Sequence, residues 1–266
     1  MRSLYFETYG SSDVLSFREV PTPELEAGRV LVRVHAVSLN PLDWRLMKAD
    51  PFFIRLIFGL FKPKHHGLGA DFSGVVESVA DDISDFEVGD EVFGIMTPEI
   101  TGTLAEYISI PESGLVKKPD TITHQEASTL GVAALTAYEG IYDYHTPAAG
   151  DRVLIHGASG GIGTFAVQMA SALGAQVPAV CRGRSAQLVR SVGAGAAIDY
   201  QSVDLLSIED RFDLIYDLIG NHSPKDMKQL LAEGGRLVLA SGGEGLGFLK
   251  AMQVAKKDES VDLIVD

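Results

Sequence analysis

Residues 153–163 constrain this chain more than any other stretch. Val153-Leu154-Ile155-His156 reads as a short apolar strand. Gly157-Ala158-Ser159-Gly160-Gly161-Ile162-Gly163 comes next as a glycine-rich turn, and an apolar helix opens behind it with Val167, Ala170 and Leu173 at helical spacing. Strand, tight turn and helix in that order are the setting a dinucleotide pyrophosphate needs. Free backbone N–H groups and the positive end of the helix dipole then meet the phosphates. In this reading Gly160 lets the backbone approach the phosphates and Gly163 lets the helix pack against the strand. Ala158 stands where the usual G-x-G-x-x-G has its first glycine.

The chain beyond the loop is consistent with it. Gln176–Cys181, Ala196–Asp199, Phe212–Asp217 and Arg236–Ala240 read as four further strands. Helical patterns lie between them, including one from Ser185 through Val192. Strands that are nearly continuous apolar runs, alternating with helices, predict a parallel sheet covered on both faces. Upstream the period differs. Val30–Val37, Gly74–Val79 and Asp90–Gly94 are β-branched or alternating runs, and prolines punctuate that half, as in a barrel of short strands. Thr123-His124-Gln125-Glu126 fits a capping box for a helix running toward Tyr144. The reading is therefore α/β. Residues 1–122 form a β-rich barrel domain and residues 123–248 a doubly wound nucleotide-binding domain. Residues 249–266 form a short tail, in which Ser260–Asp266 has the pattern of one more strand.

Composition narrows the function. The 266 residues carry a net charge of −14, so a phosphate backbone is repelled and nucleic acid is not an expected partner. A single cysteine, Cys181, excludes an intramolecular disulfide and any zinc site built from several thiolates. No apolar run reaches the length of a membrane span, and the expectation is a soluble, cytoplasmic protein. After the second strand, an NAD site usually places an acid on the ribose 2′-OH. Here the place reads Arg182-Gly183-Arg184-Ser185, which suits a 2′-phosphate and hence NADPH. Tyr200, after the third strand, is a candidate to flank the adenine or that phosphate.

Five blocks in register carry a resemblance. They are Val37–Arg45 with Asn40-Pro41-Leu42-Asp43, Leu68–Val76 with Gly69-Ala70-Asp71, Ala105-Glu106-Tyr107, Leu135-Thr136-Ala137-Tyr138 and Gly157–Gly163. Together they resemble the zinc-free quinone oxidoreductase branch of the medium-chain dehydrogenase/reductase family. The resemblance implies a GroES-like barrel domain followed by a Rossmann domain, with members running on beyond the length seen here to return to the first domain. It also implies that Asn40 and Ala70 stand where the zinc enzymes place a Cys and a His ligand, so no metal is expected. His65-His66, the one adjacent pair, is read as surface or loop. Without a Lewis acid the chemistry must lean on hydride delivery, positioning and hydrogen bonds, which suits quinones and α,β-unsaturated carbonyls.

By the same resemblance Asn40 and Asp43 sit near the nicotinamide, with Thr136 beside it. Gly220, Ala240, Ser241 and Gly242 line the cofactor cleft, with Ser159 to Gly163 at the phosphates. Asn40, Asp43 and Tyr138 are the candidate catalytic residues. Tyr5, Tyr138 and Asn40 all remain open as proton donor, as does solvent. The bland alternatives are a turn at Asn40-Pro41 and a helix cap at Asp43. The apolar stretch Phe52–Phe61 is read as a lid over the substrate, with a membrane-touching helix as the alternative. A non-catalytic NADPH sensor on the same fold is the second functional reading, and a homodimer is left open.

Overall fold

The structure is a computed structural model, and it describes residues 1–52, 54–95, 102–240 and 253–264. The chain separates into two units, Met1–Val132 and Ala133–Asp266.

In the first unit, β1 (Arg2–Tyr5) and β2 (Ser16–Glu19) form an antiparallel pair. Five strands make an antiparallel sheet in the order β6-β3-β4-β5-β7. They are β3 (Arg29–Ala36), β4 (Asp71–Val79), β5 (Glu91–Ile95), β6 (Tyr107–Pro111) and β7 (Leu115–Lys117). Alternation puts Val30, Val32, Phe72, Val76, Val92, Ile108 and Ile110 into one core. Helices α1 (Pro41–Lys48) and α2 (Ile54–Phe58) occupy the connection between β3 and β4.

The expected capping box is present. Thr123 Oγ1 accepts from the Glu126 N–H, and the Glu126 carboxylate accepts from the Thr123 N–H at 2.8 Å. The run behind it is no uniform helix. α3 (His124–Ala127) leads to a π-helical turn at Leu130–Ala134, then α4 (Leu135–Tyr138), then a second π turn at Glu139–Asp143. The physical reason is local crowding. A Cβ on Gly131 would stand 2.5 Å from Asp71 Oδ1, and the Val132 N–H donates to that same oxygen. Widened turns of this kind concentrate at functional positions. The unit boundary falls inside this run, later than residue 122. His124 keeps α3 with the first sheet through Ser73 Oγ and through ring contact with His35.

The second unit holds a six-stranded parallel sheet. Its strands are β8 (Val153–His156), β9 (Pro178–Cys181), β10 (Ala196–Asp199), β11 (Phe212–Asp217), β12 (Leu231–Leu239) and β13 (Val261–Leu263), in the order β10-β9-β8-β11-β12-β13. This is the doubly wound order with its switch between β8 and β11. Successive residues of β8 explain its unbroken apolar run: Val153 and Ile155 belong to the core on one face and Leu154 to the core on the other. Three expectations change. β9 begins at Pro178, since proline can open a strand but not donate within it. Ser185 occupies the N-cap of α6 (Ala186–Ser191) but makes no side-chain cap bond, because a 3-10 turn at Gly183–Ser185 already winds into the helix. The last described residues are not apart from the sheet: within Ser260–Asp266, which read as one more strand, β13 pairs with β12 as the sixth strand. Arg236 fixes it by paired hydrogen bonds to the Asp262 carboxylate, and Lys228 by an ion pair with Asp258.

Candidate functional site

In the second unit the glycine turn is built as the loop motif requires, with one shift of role. Gly157 takes φ +94°, so it makes the tight turn and Ala158 can be a fully buried alanine. A Cβ on Gly163 would meet Gly157 O at 2.4 Å and Ala158 C at 2.7 Å, so this glycine lets α5 (Gly161–Ala172) touch the strand's exit. Gly160 caps α5 without a side chain, and a Cβ there would find only Gly157 O, at 3.4 Å. The α5 N-terminus therefore presents its first amides toward an approaching anion. Ile162 packs its side chain on the core, which leaves only its backbone for a ligand.

A cleft of about 530 Å³ opens at the carboxyl ends of these strands. Ser159, Gly160, Arg182, Arg184, Ser185 and Tyr200 all line it. Six of the residues expected from sequence to hold a dinucleotide thus share one space. Arg182 Nε donates to Tyr200 Oη at 3.0 Å, which aims the guanidinium and ties the end of β9 to the end of β10. One expectation needs correction. No acid follows β9 in sequence, yet Asp199 brings one in from β10: a Cβ on Gly183 would lie 2.5 Å from Asp199 Oδ2. Burial first and the Asp199 charge second push the neighbouring Cys181 thiol up.

Beneath the cleft lies a pair that the motif reading missed. His156 ends β8 and Asp217 ends β11, both buried, with Nδ1 of His156 2.9 Å from Asp217 Oδ1. The same oxygen accepts the N–H groups of Ile219 and Gly220, and the Asp217 carbonyl accepts the Ala240 N–H. Burial works to raise the Asp217 carboxyl, but the imidazole and the two amides outweigh it and hold it low. His156, Ile219 and Asn221 line the cleft. The available signal was a polar residue closing each of two apolar strands. Gly220 and Ala240, expected to line the cofactor cleft, each give a backbone N–H to Asp217. Ser241 and Gly242 lie outside the described residues.

Two further expectations do not reach this cleft. Thr136 is buried on α4 and its carbonyl accepts the Tyr216 hydroxyl at 2.7 Å. Tyr138, half exposed on the same helix, stacks on Tyr142 at 4.7 Å. Neither lines it.

In the first unit, Asn40 and Asp43 belong to a buried polar cluster centred on Asp71. Asn40 caps α1, and its Nδ2 donates to Asp71 Oδ2 at 3.0 Å and to Ser38 Oγ at 3.2 Å. Ser38 Oγ donates to Asp71 Oδ2 at 2.6 Å. Asp43 accepts the Asn40 N–H at 2.7 Å on one oxygen and the Gly69 N–H at 2.9 Å on the other. Burial raises both carboxyls against these hydrogen bonds. Asp43, expected from sequence to be catalytic, accepts a backbone amide on each oxygen, and these bonds clamp the Asn40 turn to the Gly69 loop. Asp71 and Ser38 were not singled out, because the contacts that gather them span 31 and 33 residues of chain. Tyr5 stacks on His66, whose Nδ1 meets the Phe6 carbonyl.

The residues at the two expected metal positions do not fit zinc. Ala70 offers a buried methyl group, and the Asn40 amide nitrogen is spent on Asp71 and Ser38. Among the described residues no trio of His, Cys, Asp or Glu is grouped to hold a metal ion.

Comparison with known proteins agrees with this architecture. The alcohol dehydrogenase GroES-like domain matches residues 26–120, and the zinc-binding dehydrogenase domain matches residues 161–264. The chain is 36% identical over 241 residues to the mitochondrial NAD(P)H oxidoreductase RTN4IP1 of Bos taurus, covering 83% of this chain and 60% of that protein. It is 33% identical over 227 residues to the chloroplastic quinone-oxidoreductase QR1 of Triphysaria versicolor, covering 82% of this chain and 67% of the relative. The solved quinone oxidoreductase of Coxiella burnetii superposes with a TM-score of 0.89 at 29% identity, covering 100% of this chain and 82% of that one. The chain thus spans about 60% of the length of RTN4IP1.

Proposed function

The chain belongs to the medium-chain dehydrogenase/reductase family, in its quinone oxidoreductase branch, and from that premise we propose that it uses NADPH to reduce a quinone or an α,β-unsaturated carbonyl without zinc. The observation that carries the reading is the single cleft holding both the glycine turn and the Arg182–Tyr200 pair. The names of the relatives support a nicotinamide-dependent oxidoreductase with quinone among its substrates.

When bound, NADPH supplies a hydride equivalent to a position conjugated with the substrate carbonyl. The residues of this chain bind and orient. The α5 amides and Ser159 take the pyrophosphate. Arg182, Arg184 and Ser185 take the 2′-phosphate, and Tyr200 holds Arg182 in place. His156 and Asp217 keep the ends of β8 and β11 in register beneath the turn. Asn40, Asp43 and Asp71 hold one buried polar cluster together in the first unit. Tyr5, Tyr138, Asn40 and solvent are the candidate sources of the proton that completes the reduction, and substitution of each side chain in turn, read as kcat, separates them. Cytoplasmic placement and a homodimer belong to the same proposal, and fractionation and light scattering test them.

The deciding assay follows cofactor oxidation with a panel of quinones and enones, using NADPH and NADH in parallel, before and after chelation. The expected result is NADPH consumption with at least one quinone, unchanged by chelator. NADPH binding with no turnover on any substrate would favour the sensor reading.

A further inference from the structure

The stretch expected to be a lid holds α2 and its flanks, and five of its apolar side chains are exposed. Phe52, Leu56, Ile57 and Phe61 are 66, 72, 66 and 87% exposed, and Leu60 is half exposed. Phe58 is half-buried, and Phe53 lies outside the described residues. Side chains of this size rarely gather in water without a partner.

The charges around them say what kind of partner. Between Trp44 and Lys64 the chain carries Arg45, Lys48, Arg55, Lys62 and Lys64 against Asp50 alone, in a protein of net charge −14. Among the described residues none of these five has a carboxylate within ion-pair distance. Elsewhere in the same unit Arg2, Arg18, Arg33, Lys117 and Lys118 are ion-paired, and Arg29 bonds Ser109. Glu7, the acid that senses Lys62, is itself taken by Arg18. The Arg55 guanidinium lies over the rings of Tyr9 and Phe52, and Lys48 over Trp44. Apolar surface is thus rimmed by cations that, among the described residues, have ring or carbonyl contacts but no carboxylate partner. The Tyr9 hydroxyl donates to Gly59 O and the Gly10 N–H to Met47 O, so one segment anchors both α1 and the end of α2 beneath the face.

From this arrangement we infer that the face carrying Phe52, Leu56, Ile57, Leu60 and Phe61 docks on the surface of an anionic lipid bilayer. The apolar side chains enter the headgroup–acyl boundary while Lys62, Lys64 and the neighbouring cations meet the lipid phosphates. No described helix is long and apolar enough to cross a membrane, so the contact is peripheral. The inference is independent of the cofactor reading, because every residue it uses lies outside the nucleotide cleft.

The test is co-sedimentation of the 266-residue protein with phosphatidylcholine vesicles, with and without phosphatidylglycerol, at rising salt. Binding should require the anionic lipid. Lys62→Gln and Lys64→Gln should each weaken it about fivefold, the value of one charge at such a surface. Leu56→Ser and Phe61→Ser should weaken it at least as much. All four positions are exposed, so these variants fold. Trp44 is the only tryptophan, so Trp44→Phe combined with Phe61→Trp gives one reporter on the face. Its emission should shift to the blue when anionic vesicles are added. Three results overturn the inference: no sedimentation, sedimentation that these substitutions leave unchanged, or a blue shift that follows protein concentration without lipid. The last would assign the face to a second copy of the chain.

Discussion

Removing the Arg182 guanidinium should separate the two nicotinamide cofactors. Its Nε is held 3.0 Å from Tyr200 Oη, while its terminal nitrogens make no hydrogen bond among the described residues and remain free for a 2′-phosphate. A hydrogen bond to a charged group contributes about 1.5–3 kcal/mol, and about 1.4 kcal/mol is one decade in affinity. Exposure of the pair to solvent and the nearby Asp199 carboxylate place the effect at the low end of that range. Arg182→Ala should therefore raise the NADPH Kd about tenfold and change the NADH Kd by less than about twofold. Tyr200→Phe keeps the ring and loses only the aim, so it should weaken NADPH by about two- to tenfold. In the Arg182→Ala background the same change should do almost nothing, since its partner is gone. Arg184→Ala should have the smaller effect, as no hydrogen bond among the described residues orients that side chain. Titration of both cofactors into the four variants and the parent reads these values. Equal losses for NADH and NADPH, or an undiminished Tyr200→Phe effect without Arg182, would refute the reasoning.

Gly163→Ala should lower the thermal midpoint and weaken both cofactors alike, because the added methyl meets backbone at 2.4 Å and pushes α5 off the turn; overpacking of this kind costs about 1–3 kcal/mol. Asp71→Asn should destabilise the protein by about 1–3 kcal/mol in chemical unfolding, since an amide NH₂ would face the donors now gathered on Asp71. Asp71 has a raised carboxyl, so its own contribution to stability should rise as pH falls through its folded pKa, and the variant should lack that slope. Asp258 has the opposite sign. Lys228 and Ser260 hold it at about 2 against an ordinary 3.8, so its stabilisation is full above pH 3.8 and is lost as pH falls toward 2. Melting curves of Asp258→Asn and parent should differ at neutral pH and converge in that window.

The nucleotide-binding half was legible because its signals are local. A strand, a glycine turn and a helix occupy adjacent residues, and the apolar content of β8 and β11 announces burial on both faces. The Thr123–Glu126 box spans only four residues and was read correctly for the same reason. Arg182 and Arg184 could be named from position, but their aim depends on Tyr200, 18 residues away on another strand. Contacts across the sheet decided the rest. Only folding brings Asp199 beside Gly183, joins His156 to Asp217 across 61 residues and makes 261–263 the sixth strand through pairing with β12. Asp43 and Asp71 show the same division in the first unit. Sequence marks them as acids in matching blocks, but a carboxylate's role is set by what its oxygens touch. Backbone amides from Asn40, Gly69 and Val132 claim them only once β4, α1 and the helical run after Thr123 have closed around one buried point. A lone apolar segment carries the least information of all. Phe52–Phe61 has the same composition whether it faces a substrate, a core or water, and tertiary packing alone left Leu56 and Phe61 on the outside.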